Sequence, residues 1–225
     1  GGYREDRYWS EEGLNWRNYA QAAHPTFWLK TADGWQLRLM TEVVPMPWDW
    51  PVEVNYLEAK AFCQWQSEQL GRSVRLPTED EWQRIYAVSG ASEVAPDKAA
   101  DSNRHLDHYA SSCPVTQFRH GDFYDVDVHP IYDDFTTPTF DDRHNLLMGG
   151  SWISCGNETR RSARYAFRRH FFQHAGFRYV VSETPMTQTT AYYETDKQLS
   201  EYAEFHYGDE YFGVPNFPKA LANIA

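Results

Sequence analysis

Two helix signals stand back to back between Asn55 and Tyr86, and they set the scale of what this chain can build. Asn55 is a capping residue with Glu58 three positions on, and Leu57, Ala61, Phe62 and Trp65 fall on one face. Gly71 then supplies a left-handed stop. After a short extended run, Val74 to Leu76, Thr78 and Glu81 form a second capping box, with Trp82, Ile85 and Tyr86 as the apolar face. Elsewhere the patterning is short. Trp35 to Met40 (WQLRLM) alternates like a half-buried strand, Leu146 to Met148 runs into Gly149-Gly150-Ser151-Trp152, and Gly176 to Val181 (GFRYVV) is a further strand candidate. From Gly90 to Asp142 the chain reads as loop, rich in Asp, His and Pro. The 9 Trp, 15 Tyr and 13 Phe that must form the core are irregularly spaced among 13 Gly and 12 Pro. That spacing excludes a helical bundle and predicts an α+β domain with few helices and much loop.

At 225 residues the chain holds one large domain, or one domain and a piece of another. Its formal charge of −11 leaves no basic surface to replace the counterions of DNA or RNA, or to meet an anionic membrane. No apolar run approaches the ~20 residues of a membrane-spanning helix. Three cysteines, Cys63, Cys113 and Cys155, are an odd and sparse set that reads as reduced thiols, and no basic segment followed by an apolar one opens the chain. The expected localisation is cytoplasmic. The opening GGYREDRYWSEEGLNWRNY has no initiator Met and reads as interior sequence, so a fragment or processed product is expected.

Two long phrases carry a resemblance. PVEVNYLEAKAFCQWQSEQLGRSVRLPTEDEW (Pro51 to Trp82) and NLLMGGSWISCGNETRRSARYAFRRHFFQHAGFRYV (Asn145 to Val180) resemble the formylglycine-generating-enzyme/sulfatase-modifying superfamily. The resemblance implies a C-type-lectin-like fold with short antiparallel strands. Within it, MPWDWPVEVNYLEAKAFC, HPIYDDFTTPTFDDRHNL and ARYAFRRHFFQHAGFRYV are most similar to the 5-histidylcysteine sulfoxide synthase (ovothiol-synthesising) family. Residues 1–182 are then a formylglycine-generating-enzyme-like domain, N-terminally truncated and with an internal deletion. The deletion falls between Val126 and Asp127, where the family carries a G-N-V-W-x-W phrase. Residues 183–225 read as a polar linker (TPMTQTT) and the start of a methyltransferase domain, resembling that family in EYAEFHYGDEYFGVPNFPKA.

The resemblance implies an iron(II)- and oxygen-dependent enzyme that couples cysteine sulfur to a histidine imidazole. Its iron ligands are expected in an N-terminal domain absent here, so this chain alone is expected to be inactive. The partners it implies are histidine, cysteine and oxygen, together with the missing iron-binding and methyltransferase domains. The resemblance also implies an active-site tyrosine that manages protons, and Tyr132 in HPIYDDF is the candidate, with a plain packed tyrosine as the other reading.

Five arginines, at 160, 161, 164, 168 and 169, concentrate positive charge in an acidic chain. Arginine grips carboxylates with two parallel hydrogen bonds, and both implied substrates carry one. Arg168 and Arg169, with His170 and Trp152, are therefore the candidate substrate-binding residues, one arginine facing a cleft beside Trp152 and the other pairing with acids. Pairing of all the arginines with structural acids is the alternative. His170 and His174 form an H-x-x-x-H that lacks the Glu of a zincin, and they read as structural or substrate-contact histidines rather than a metal pair. His105 and His108 read as surface. The loop acids Asp133, Asp134, Asp141 and Asp142 offer oxygen ligands for calcium, though a solvated acidic loop is the simpler reading. A non-catalytic lectin-like binding module is the rival function. A copper-dependent formylglycine-generating oxidase is disfavoured, because no cysteine lies between 160 and 169.

Overall fold

The computed structural model describes residues 1–89, 102–104, 106, 109–124, 131–132, 144–155, 163–174 and 176–183, with backbone alone at 80, 124, 131, 132, 164 and 166. Two short 3-10 turns, Gly2–Arg4 and Asp6–Tyr8, lead into α1 (Glu11–Ala20) and a sheet of β1 (Trp28–Thr31), β2 (Gly34–Arg38) and β3 (Val43–Pro45). Next come α2 (Tyr56–Leu70), β4 (Ser73–Arg75) and α3 (Glu79–Ser89). A two-residue hairpin, β5 (Arg119–His120) and β6 (Phe123–Tyr124), precedes a sheet of β7 (Ile131–Tyr132), β8 (His144–Met148) and β9 (Arg164–Arg168). Finally β10 (Val180–Ser182) pairs back on β4. Every strand pair is antiparallel.

Both capped helices form as their residues dictate. The Asn55 side chain accepts from the Glu58 N–H at 3.0 Å, while the Glu58 carboxylate accepts from the Asn55 N–H at 2.8 Å. Gly71 ends α2 at φ 60°, where a Cβ would be strained. At α3 the Thr78 hydroxyl accepts from the Glu81 N–H, and Glu81 accepts from the Thr78 N–H. Glu81 also takes both arms of the buried Arg75 guanidinium, at 2.6 and 2.7 Å, which ties β4 to the start of α3.

β8 explains how two helices share one sheet. Its side chains alternate: Leu147 joins Phe167 in the cluster built on α2, while Leu146 and Met148 pack with Trp82 and Tyr86 of α3. Buried on both faces, the strand needs a continuous apolar run, and LLM is that run.

Three features depart from the sequence reading. The helix α1 lies where no helical period exists, and it forms through its ends. The Ser10 hydroxyl accepts from the Gly13 N–H, Glu11 and Glu12 sit in the first turn, and Gln21 closes it at φ 51°. Its anchorage is aromatic: Trp16 stacks on Trp9 at 6.1 Å, and Trp9 meets Tyr3 at 5.5 Å. Second, the expected strand over Gly176 to Val181 pairs only from Val180, because β4 ends at Arg75, just before Pro77. Phe177 and Tyr179 are held instead by ring contacts with Phe62 at 5.3 and 5.8 Å. Third, the loop-rich stretch contains the β5–β6 hairpin, whose turn places Gly121 at φ 60°.

None of the three cysteines forms a disulfide; Cys63 and Cys113 are buried and Cys155 is exposed. Among the described residues no helix is long and apolar enough to cross a membrane. Residues 184–225, His105, His108 and the four loop acids lie outside the described residues.

Candidate functional site

Glu53 is fixed by the helix it precedes. The capping box holds Asn55 fully buried in extended geometry, and Pro51 stiffens the other side, so Glu53 projects from a short strap entering α2. Its carboxylate collects three partners from remote parts of the chain. Oε1 accepts from the Trp152 indole N–H at 2.9 Å and from the Ser112 hydroxyl at 3.2 Å, and Oε2 lies 3.2 Å from His174 Nδ1.

Each partner is itself held. Gly149, at φ 84°, turns the chain out of β8, and the Ser151 N–H donates to the Ser154 hydroxyl, so Trp152 sits buried on a closed turn. Asn103 spans the Ser112 segment, donating to the Ser111 carbonyl and accepting from the Tyr109 N–H. The loop after β9 is pinned where the Asn55 amide donates to the His170 carbonyl, which delivers His174 four residues on.

His174 completes an aromatic box. Its ring meets Trp152 edge-on at 4.9 Å and stacks on Phe27 at 6.3 Å. The hydrogen bond to Glu53 raises the His174 pKa above its ordinary 6.5, against the opposing effect of burial. Together these groups line a cavity of about 300 Å³ bounded by the β1–β2 hairpin, the Glu53 strap, the Ser111–Ser112 segment and the Trp152 turn. Arg38, at the end of β2, also lines it, with its guanidinium over the Phe27 ring at 5.5 Å. The cavity is apolar in its walls and carries a few convergent polar groups, which is the form of a small-ligand site.

Among the described residues, no group of three His, Cys, Asp or Glu is placed to hold a metal ion. Glu53 and His174 offer two donors, already bonded to each other. The described residues therefore do not fit an iron ion.

Residues 2–183 match the profile of the Sulfatase-modifying factor enzyme 1-like domain. The chain belongs to this family. Its fold is the expected one: α+β, C-type-lectin-like, loop-rich, with few helices and short antiparallel strands. Family relatives include hercynine oxygenase of Mycolicibacterium thermoresistibile, 31% identical over 210 residues, and hercynine oxygenase of Mycobacterium tuberculosis, 29% identical over 205. Each match covers 76% of this chain, but 45% and 46% of the relative. Ergothioneine biosynthesis protein 1 of Schizosaccharomyces pombe is 26% identical over 187 residues, 74% of this chain and 22% of that protein. The chain thus spans less than half the length of these relatives. Among solved structures, PvdO from Pseudomonas aeruginosa superposes with a TM-score of 0.50 at 18% identity, covering 59% of this chain and 62% of PvdO. Treponema denticola variable protein 1 gives a TM-score of 0.50 at 16% identity, covering 73% and 79%. These two likenesses concern the fold alone.

On this family scaffold the candidate residues separate. Trp152 lines the cavity. Arg169 donates to Asn145 at 2.7 Å, pairs with Glu12 at 3.0 Å and lies over the Tyr56 ring at 5.8 Å, so it fastens α1 and α2 to the β8–β9 sheet. Arg168 is exposed at the end of β9, and neither arginine lines the cavity. His170 is exposed, edge-on to Phe171 at 4.7 Å. Residues 170–174 are not helical, so the two imidazoles of H-x-x-x-H do not share a helical face; only His174 reaches the cavity. Tyr132 lies in β7 opposite Leu147, with its side chain outside the described residues.

Sequence reasoning missed Glu53, Arg38 and Ser112. Glu53 did leave a trace: it is a lone charge in PVEVNYL, between two valines that the fold half-buries or buries.

Proposed function

We propose that this chain is the substrate-holding part of an iron(II)- and oxygen-dependent sulfoxide synthase that joins the sulfur of cysteine to a ring carbon of histidine, as in ovothiol biosynthesis. The observation that carries the reading is the similarity to hercynine oxygenases over three quarters of the chain. The reaction balances as thiol plus ring C–H plus dioxygen giving the aryl sulfoxide and one water. On this reading the iron ligands come from a separate domain, and no step through iron is carried by the residues described above. What these residues do is bind and orient. The aromatic walls exclude water and hold a flat ring, while Glu53 keeps His174 and Trp152 in place.

A non-catalytic binding module is the second reading. It is favoured by the commitment of both Glu53 oxygens to neighbouring donors, which leaves the carboxylate a brace rather than a base.

The deciding experiment supplies cysteine, oxygen and iron(II) with either histidine or hercynine. The chain is assayed alone and with the helical iron-binding domain of a related sulfoxide synthase added in trans, and products are read by mass spectrometry. The expected result is a cysteine–histidine sulfoxide only when the added domain is present. Product from hercynine but not histidine reassigns the substrate. No product from either, with the added domain shown to hold iron, leaves the binding module.

A further inference from the structure

We infer that the cavity is an amino-acid subsite in which Arg38 and His174 grip the ligand's carboxylate, while the Phe27, Trp28 and Trp152 rings enclose its side chain. The inference rests on the reading above for the choice of histidine as ligand.

The argument begins with the cavity's charges. The titratable groups that line it are Arg38, Glu53 and His174. Glu53 already accepts from Trp152, Ser112 and His174, so most of its acceptor capacity is spent within the protein. His174 uses Nδ1 on Glu53, which leaves Nε2 as its remaining donor when the ring is protonated. Arg38 differs from the arginines that fasten the fold. Arg17, Arg75 and Arg169 each meet a carboxylate, whereas no carboxylate among the described residues lies within ion-pair distance of Arg38. The cavity therefore carries an uncommitted positive charge within a chain of net −11. A guanidinium presents a planar fork that matches a carboxylate, and a neighbouring imidazolium adds a third donor.

Placement supports the same assignment. The Arg38 N–H donates to the Phe27 carbonyl at 2.9 Å, and its guanidinium lies over the Phe27 ring. The group is thus held at the cavity rim before a ligand arrives, which lowers the ordering cost of binding. The volume, about 300 Å³, is at the small end of ligand cavities and suits one amino acid rather than a peptide. Trp28 extends the wall outward through edge contacts with Trp35 and Trp48 at 5.6 and 5.5 Å.

The test is calorimetric titration of the chain with histidine and with histidinol, which keeps the ring and the ammonium but lacks the carboxylate. Histidine is expected to bind at least about tenfold more tightly. Arg38→Gln is expected to bring histidine down to the histidinol level and to leave histidinol within about twofold, with Arg38→Lys in between because it keeps the charge and loses the fork. Arg38 is exposed, and thermal melting is expected to show all variants folded. Equal affinities in the parent, a preference that survives Arg38→Gln, or no binding of either ligand overturns the inference. The two readings fail separately. Carboxylate-dependent binding without sulfoxide in the complemented assay sinks the enzyme reading alone. Sulfoxide formation by Arg38→Gln at the parental KM sinks the subsite alone.

Discussion

The indole N–H of Trp152 donates to the Glu53 carboxylate at 2.9 Å across 99 positions of sequence. That bond joins the strap before α2 to the turn after β8, and His174 closes the arrangement from a third segment. A carboxylate with three donors costs little to bury, so Glu53 acts as the keystone of the cavity.

Replacing Glu53 by Gln tests this directly. The His174 pKa, raised by the Glu53 bond, is expected to fall toward its ordinary value in an NMR titration of the ring. Because the folded value lies above the unfolded one, the pair stabilises fully below about pH 6.5, and that contribution is lost as pH rises through the folded value. The gap in Tm between parent and Glu53→Gln should be widest in mild acid and close in mild alkali. With the His174 side chain 42% exposed, the gap is under about 1 kcal/mol. An unchanged His174 titration refutes the pairing.

Glu58 makes an opposite demand on the fold. It is buried, accepts from the Tyr3 hydroxyl at 2.5 Å, and has its pKa pushed up to about 7 by burial, against the hydrogen bonds from Tyr3 and the Asn55 backbone. A carboxyl whose folded pKa exceeds its unfolded value of 4.5 gives its full stability below that value and loses it as pH rises through the folded one. The total is about 3 kcal/mol, lost between about pH 4.5 and 7. Glu58→Gln retains an acceptor for the Asn55 N–H and a donor for the Tyr3 oxygen. Urea unfolding across that range should therefore show a flatter pH slope in the variant, and parallel slopes would remove Glu58 as the source.

The two adjacent arginines should separate cleanly. Arg169→Ala breaks contacts to Glu12, Asn145 and Tyr56 and is expected to lower stability by about 1–2 kcal/mol. Arg168→Ala, at an exposed strand end, is expected to stay within about 0.5 kcal/mol. Chemical denaturation of both variants decides the matter, and equal losses would contradict the fastening role.

Gly176 packs against Pro51 of the cavity wall. A Cβ there would stand 3.0 Å from the Pro51 Cβ, and Pro51 lines the cavity. Gly176→Ala should push the Pro51 strap and cost about 1–3 kcal/mol of stability. Histidine binding should weaken with it. A variant that melts and binds like the parent would show that the strap yields freely.

Legibility followed the range of the interactions. The capping boxes at Asn55–Glu58 and Thr78–Glu81 were readable because each closes within three residues, and Gly71 marks its own backbone geometry. The α1 helix was not readable, since its apolar residues do not repeat at a helical period. Trp9 and Tyr3, outside the helix, provide its packing. The arginine cluster at 160–169 is plain from its charge density, yet charge density does not say which arginine already has a carboxylate.

What the sequence by itself determined was the family and the fold class, through long local phrases, and the ends of α2 and α3, through side chains that satisfy nearby backbone groups. What only the tertiary structure decided was the cavity. Glu53, Ser112, Trp152 and His174 carry no mutual signal along the chain, and their alliance exists because α2, β8 and the loop after β9 bring distant segments within hydrogen-bond reach. The same packing committed Arg169 to Glu12 and left Arg38 at the cavity rim, because a guanidinium's role is set by the carboxylate that the fold places beside it.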